Sequence, residues 1–106
     1  MADQSETPVL DLLASMTADS LEASSLDGPT LALVRIAALV AIDAPPASYA
    51  ANLALAGDLD VGAEDVRGVL AAVAPIVGTP RVVAATGNIV RALGIALDVA
   101  ELDAAE

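Results

Sequence analysis

The sequence predicts an all-α protein, a single domain of about five or six helices in a helical bundle. Apolar residues recur at the i, i+3, i+4, i+7 spacing of helices in the longest apolar segments. Pro and Gly separate these segments at intervals suited to helix starts and ends. No segment shows the alternation with β-branched and aromatic enrichment that is typical of strands. A chain of 106 residues is one domain of ordinary size.

The N-terminal segment, residues 1–25, is predicted to be partly disordered or to form short helices. Residues 8–14 fit one short helix, because Pro8 suits its first position. Residues 16–24 are a second, weaker candidate. Asp27 and Gly28 then mark a loop before the main helices.

The first strong helix is predicted over residues 29–42. Its apolar residues lie all round it: Leu31, Leu33, Val34, Ile36, Leu39 and Val40. A helix that is apolar on every side is a buried one. We therefore expect Arg35, in its middle, to be paired with a carboxylate of this chain or of a neighbouring subunit. A further helix follows over residues 46–57.

The clearest helix is predicted over residues 63–77, which carry an amphipathic pattern. Glu64 and Asp65 fall in its first turn, where the helix dipole favours negative charge. Pro75 should bend or end its last turn, and Gly78 is a natural C-cap. The apolar stripe consists of Val66, Val69, Leu70, Val73, Ile76 and Val77.

The last helix is predicted from an N-cap at Thr79 to about residue 102, with an acidic tail over residues 103–106. Gly87 and Gly94 are seven residues apart and share one side of this helix. The absence of a side chain at both positions predicts close packing against another helix.

Charge excludes several classes of partner. The net charge is −11, and the four basic residues are all Arg. Nucleic-acid binding needs a basic patch, and the stacking of bases needs aromatic side chains. The chain has a single aromatic residue, a Tyr. An anionic membrane surface is disfavoured for the same reason. No apolar segment is long enough to span a membrane, and the N-terminus lacks the basic start of a signal peptide, so we expect a cytoplasmic protein.

The apolar content is higher than a small single core requires. Hydrophobic residues make up 57% of the chain before Gly is counted, whereas about 45–50% is usual with Gly included. Homo-oligomerisation is the common way to cover such a surplus. The composition therefore predicts a homo-oligomer.

One run of sequence, GAEDVRGVLAAVAPIVGTPRVVAA over residues 62–85, resembles the carboxymuconolactone decarboxylase-like family, which includes the alkylhydroperoxidase D-like proteins. The features are a polar turn, an acidic helix start, an apolar helix and a Gly-x-Pro that opens the next helix. The resemblance implies a helical domain over residues 26–102 that assembles as a trimer or hexamer.

The redox site of that family is missing from this chain. The resemblance implies a Cys-x-x-Cys pair near Pro45 and Ser48, a His near Asn52 and a Glu near Leu33. The chain contains no Cys and no His at any position. Thiol peroxidase chemistry, which needs a thiolate nucleophile and a resolving Cys, is therefore excluded, and no cofactor is expected.

Two functions remain open. The first is a non-catalytic oligomeric scaffold or a module that binds a small acidic ligand. The alternative is a cofactor-free lactone decarboxylase-type enzyme that holds a carboxylate substrate through Arg residues. The candidate ligand-binding residues are Arg35, Tyr49, Asn52 and Arg91. The alternative for these side chains is a structural role in packing, pairing or capping. Catalytic residues stay unassigned, and no spacing of carboxylates predicts a metal site.

Overall fold

The computed structural model describes the backbone of residues 6–104 and the side chains of residues 6–94. This part of the chain contains five helices and no strand, which confirms the all-α fold class. The helices are α1 (Pro8–Ala23), α2 (Gly28–Ala41), α3 (Pro46–Asp58), α4 (Ala63–Val77) and α5 (Thr79–Ala104). The ends of the predicted N-terminal segment and acidic tail, residues 1–5 and 105–106, lie outside the described residues.

The N-terminal segment forms one continuous helix, α1, where the sequence predicted two short ones. The residues after Pro8 include no Gly or Pro, and Leu, Ala and Met favour helix throughout. Ser15 and Thr17 therefore do not interrupt it. No residue of α1 is buried.

Local capping explains where α2 and α4 begin and end. The Asp27 carboxylate accepts a 2.9 Å hydrogen bond from the backbone N–H of Thr30, and the bonds from Thr30 lower the pKa of Asp27. At the start of α4, the N–H of Gly62 donates to Asp65 at 3.1 Å. Gly78 ends α4 with a φ of 90°, which favours glycine.

The core consists of two clusters, and α2 contributes to both. The first contains Ala32, Ile36, Ala56, Val61 and Val66. The second contains Val40, Ala44, Tyr49, Ala85 and Ala92. Helices α3 and α4 each pack against both α2 and α5.

The prediction that α2 is buried on every side is wrong. Val34 is 51% exposed, and Arg35 is half-buried. The helices α3, α4 and α5 cover one side of α2. The other side stays open because α1 packs against none of the remaining helices in the described chain.

No helix in the described part of the chain is both long enough and apolar enough to cross a membrane.

Candidate functional site

A cavity of about 360 Å³ lies between α3, α4 and α5. Its walls come from the end of α3, the first half of α4 and the middle of α5, and they are largely apolar. The volume falls in the range of small-molecule sites, which is roughly 300–1,000 Å³. Its large apolar lining residues include Leu53, Val66, Leu70, Ile89, Val90 and Leu93.

Residues one helical turn apart form the walls of the cavity on α4 and α5, and small residues line it at the turn from α3 to α4. Val66 and Leu70 are one turn apart on α4, and Ile89 and Leu93 are one turn apart on α5. The turn from α3 to α4 adds Gly57, Gly62 and Ala63 to the lining. A Cβ atom built at Gly57 or Gly62 would meet nothing within 4 Å. The lining of the cavity at this turn is therefore backbone and small side chains.

Two polar side chains, Arg67 and Thr86, line the cavity. Arg67 is exposed, and within the described chain its guanidinium has neither a hydrogen bond nor an ion pair. The hydroxyl of Thr86 donates to the carbonyl of Val82 at 3.0 Å and can still accept a hydrogen bond. The arrangement suits an apolar group that carries a negative charge at the end nearest Arg67. Among the described side chains, none that lines the cavity is a carboxylate able to act as a general base.

Arg35 lies away from this cavity, on the outer side of α2. Its Nη2 donates to the hydroxyl of Ser20 at 3.1 Å. A neutral hydroxyl of α1, rather than the expected carboxylate, is thus the partner of Arg35 in the described chain. A half-buried guanidinium needs no buried counter-charge, because water reaches it.

Tyr49 is fully buried in the second core cluster. Its hydroxyl has no hydrogen-bond partner in the described structure. Burial raises the pKa of Tyr49, and the negative charge of Asp43 raises it further. Tyr49 does not line the cavity, and its ring packs in the second core cluster.

Asn52 and Arg91 take local partners. Asn52 donates to the carbonyl of Ser48, one turn earlier on α3, at 2.9 Å. The exposed Arg91 donates to the side chain of Asn88 at 3.1 Å. The Asn88 amide in turn donates to the carbonyl of Ala44 at 3.3 Å, which links α5 to the α2–α3 loop.

The structure does not bring the four predicted residues to one cavity. Arg35, Tyr49, Asn52 and Arg91 are all absent from the lining of the α3–α4–α5 cavity. Arg67 was the residue that sequence reasoning missed. Its spacing from Ala63 and Leu70, one turn in each direction along α4, was the signal that could have placed it there.

No group of three or more acidic side chains in the described part of the chain is arranged to hold a metal ion. Comparisons with protein-family models, with curated proteins and with solved structures gave no match to this chain.

Proposed function

We propose that this protein is a non-catalytic helical module that acts by self-association. One observation carries the proposal. The 16-residue helix α1 buries no residue, although it contains six large apolar side chains that are 40–67% exposed: Val9, Leu10, Leu12, Leu13, Met16 and Leu21. An isolated helix of this length is marginal in water, so α1 requires a partner surface to be stable.

Exposed apolar side chains on the other helices support the same proposal. They are Val34 on α2, Ile76 on α4, and Val83, Val90 and Leu93 on α5, with exposures of 48–84%. Large exposed apolar side chains on four of the five helices form surface that a partner subunit can cover. Covering it in a homo-oligomer also accounts for the apolar surplus of the composition.

The family assignment is part of the proposal and rests on residues 62–85. We propose a cysteine-free relative of the carboxymuconolactone decarboxylase-like proteins, assembled as a trimer or hexamer. The loss of Cys and His removes the redox reaction of that family. The lactone decarboxylase alternative needs a proton donor or acceptor beside the substrate, and Thr86 and Arg67 are the polar side chains that the cavity offers.

Light scattering after size-exclusion chromatography tests the proposal. We expect a mass three or six times that of the 10.5 kDa chain, stable on dilution to micromolar concentration. A monomer under these conditions would refute it. Peroxide turnover with a dithiol donor should equal the buffer blank.

The cavity supports a second candidate function, the binding of an apolar carboxylate through Arg67. Octanoate is a suitable probe, followed by chemical-shift changes at the cavity. Arg67→Met should weaken binding by about tenfold, the equivalent of about 1.4 kcal/mol, whereas Arg35→Met, which alters a guanidinium outside the cavity, should leave it unchanged. No saturable shift at the cavity would reject this candidate.

A further inference from the structure

We infer that α1 of one subunit packs into the α5 groove of a second copy of the chain, as an exchanged helix. The α5 groove is the α3–α4–α5 cavity together with three residues beside it on α5, the exposed Val83 and Gly94 and the half-buried Gly87. The inference rests on the proposed self-association and specifies its contact.

The donor surface is one side of α1. Val9, Leu13 and Met16 follow each other at i, i+4 and i+7, so their side chains lie on one side of the helix. They are 67%, 49% and 56% exposed. The acidic residues Asp11 and Glu22 lie on the opposite side of the helix, and Asp19, one turn after Met16, lies at the edge of the apolar side. This is the pattern of an amphipathic helix that inserts its apolar side into a groove.

The acceptor surface runs along α5. Val83 and Val90 are 65% and 64% exposed. A Cβ atom at Gly94 would meet nothing within 4 Å, and one at Gly87 would meet the Arg91 guanidinium at 3.6 Å. The close helix packing predicted from these glycines is therefore not made by the described part of the same chain, and the face is open for another helix.

The lengths of the two surfaces match. Residues 83–90 of α5 span about 10 Å, and residues 9–16 of α1 span the same distance, at about 1.5 Å per residue. A large side chain of α1 can enter the 360 Å³ cavity beside Val90. The exchanged helix and a small carboxylate would compete for this space.

Charge favours the same pairing. All the charged residues of α1 are acidic. Two of the four arginines border the groove, Arg67 at the cavity and Arg91 beside Gly87. In a chain with a net charge of −11, these two guanidinium groups lower the repulsion that an acidic helix meets at this groove. A pair between Asp19 and one of them would orient the helix more than it adds affinity.

The short connection between α1 and α2 favours insertion of α1 into the groove of a second copy over insertion into the groove of its own chain. Residues 24–27 are the whole connection between α1 and α2, and Ser20 is bonded to Arg35 on the outer side of α2. This contact holds α1 beside α2, away from the core side of its own subunit. Exchange between two subunits, or around a ring of three, covers every α1 and every groove.

The absence of Cys makes a cross-linking test direct. A chain with Leu13→Cys is mixed with a chain with Val90→Cys, re-equilibrated, oxidised and analysed by non-reducing electrophoresis and mass spectrometry. Ile76, 84% exposed on α4, provides the control: Leu13→Cys is mixed with Ile76→Cys. All three positions are exposed, and circular dichroism checks that each variant keeps its helices.

We expect the Leu13→Cys and Val90→Cys chains to form a mixed disulfide at least tenfold faster than the control pair. Equal rates for the two pairs would overturn the inference. A chain carrying both substitutions that cross-links within one monomer would also overturn it, by showing that α1 folds onto its own groove. If light scattering shows an oligomer but the mixed disulfide does not form, the contact is wrong and self-association stands. If it shows a monomer, both fail.

Discussion

Arg35 and Ser20 join α1 to α2 through one side-chain hydrogen bond, from Nη2 to Oγ at 3.1 Å. Arg35 is half-buried and Ser20 is exposed, so water competes for both groups. Arg35, the charge in the middle of the apolar helix α2, therefore orients the peripheral helix α1. It neither neutralises a buried carboxylate nor reaches the α3–α4–α5 cavity.

We expect Ser20→Ala and Arg35→Met each to lower the free energy of unfolding by less than about 1 kcal/mol, because the bond is solvated and its acceptor is neutral. Urea denaturation measures this. Arg81→Met is the matched control, since Arg81 donates to the carbonyl of Ala41 at 2.9 Å and joins two core helices. It should cost about as much as either variant, because Arg81 is also exposed and its acceptor is also neutral. A loss of 3 kcal/mol or more for Arg35→Met would instead indicate a buried ion pair.

Tyr49 gives a sharper test of packing. Its ring is fully buried and its hydroxyl has no partner in the described structure. Tyr49→Phe removes an unsatisfied polar group and keeps the ring, so stability should be unchanged or higher by up to about 1 kcal/mol. Tyr49→Ala should cost about 3–5 kcal/mol through the cavity it leaves. A large loss for Tyr49→Phe would show that the hydroxyl makes a bond in solution, in a subunit contact or a ligand site.

Alkaline pH should destabilise this protein through the same residue. Burial raises the pKa of Tyr49, and Asp43 adds to the shift. Above about pH 10 the unfolded chain releases the phenolic proton while the folded chain keeps it. The contribution of Tyr49 to the free energy of unfolding is therefore fully present below that pH and falls as the pH rises above it.

The composition isolates this effect, because the chain has one Tyr and no Lys, Cys or His. Urea midpoints across the alkaline range should fall for the natural chain and stay level for Tyr49→Phe. A phenolate absorbance titration should give a midpoint above 10. Parallel loss of stability in Tyr49→Phe would assign the effect to another group.

Local signals were sufficient to predict α4. Its predicted range, 63–77, is the range observed, because the acidic first turn, the apolar stripe and Gly78 all act within a few residues. The same local reasoning divided α1 at Ser15, where helix propensity carries the helix through.

Relations between helices were not predictable in this way. The expected burial of Arg35 depended on which sides of α2 its neighbours cover, and one sequence does not give that placement. The cavity lies between three helices, so the position of Arg67 at its edge depends on tertiary structure. The two candidates on α3, Tyr49 and Asn52, were correctly placed on a helix, but their binding role stays a prediction.

Gly68, inside α4, and Gly78, the C-cap of α4, should respond to substitution by Ala in opposite directions. Gly68 lies in the middle of the helix, and an added Cβ there would meet nothing within 4 Å. Gly68→Ala should therefore raise stability by about 0.5–1 kcal/mol. Gly78 has φ 90° and ψ 157°, a conformation that is nearly restricted to glycine. Gly78→Ala should cost about 1–3 kcal/mol.

Thermal denaturation of both variants, with the exposed Ala72→Gly as the reverse substitution in the same helix, measures the two effects. Ala72→Gly should lose about what Gly68→Ala gains, because both change backbone freedom at open helical positions. If Gly68→Ala lowers stability while Ala72→Gly behaves as expected, the surface around Gly68 is not open in solution. Another subunit would then lie against that side of α4, and the mass measured by light scattering would have to reflect this second contact.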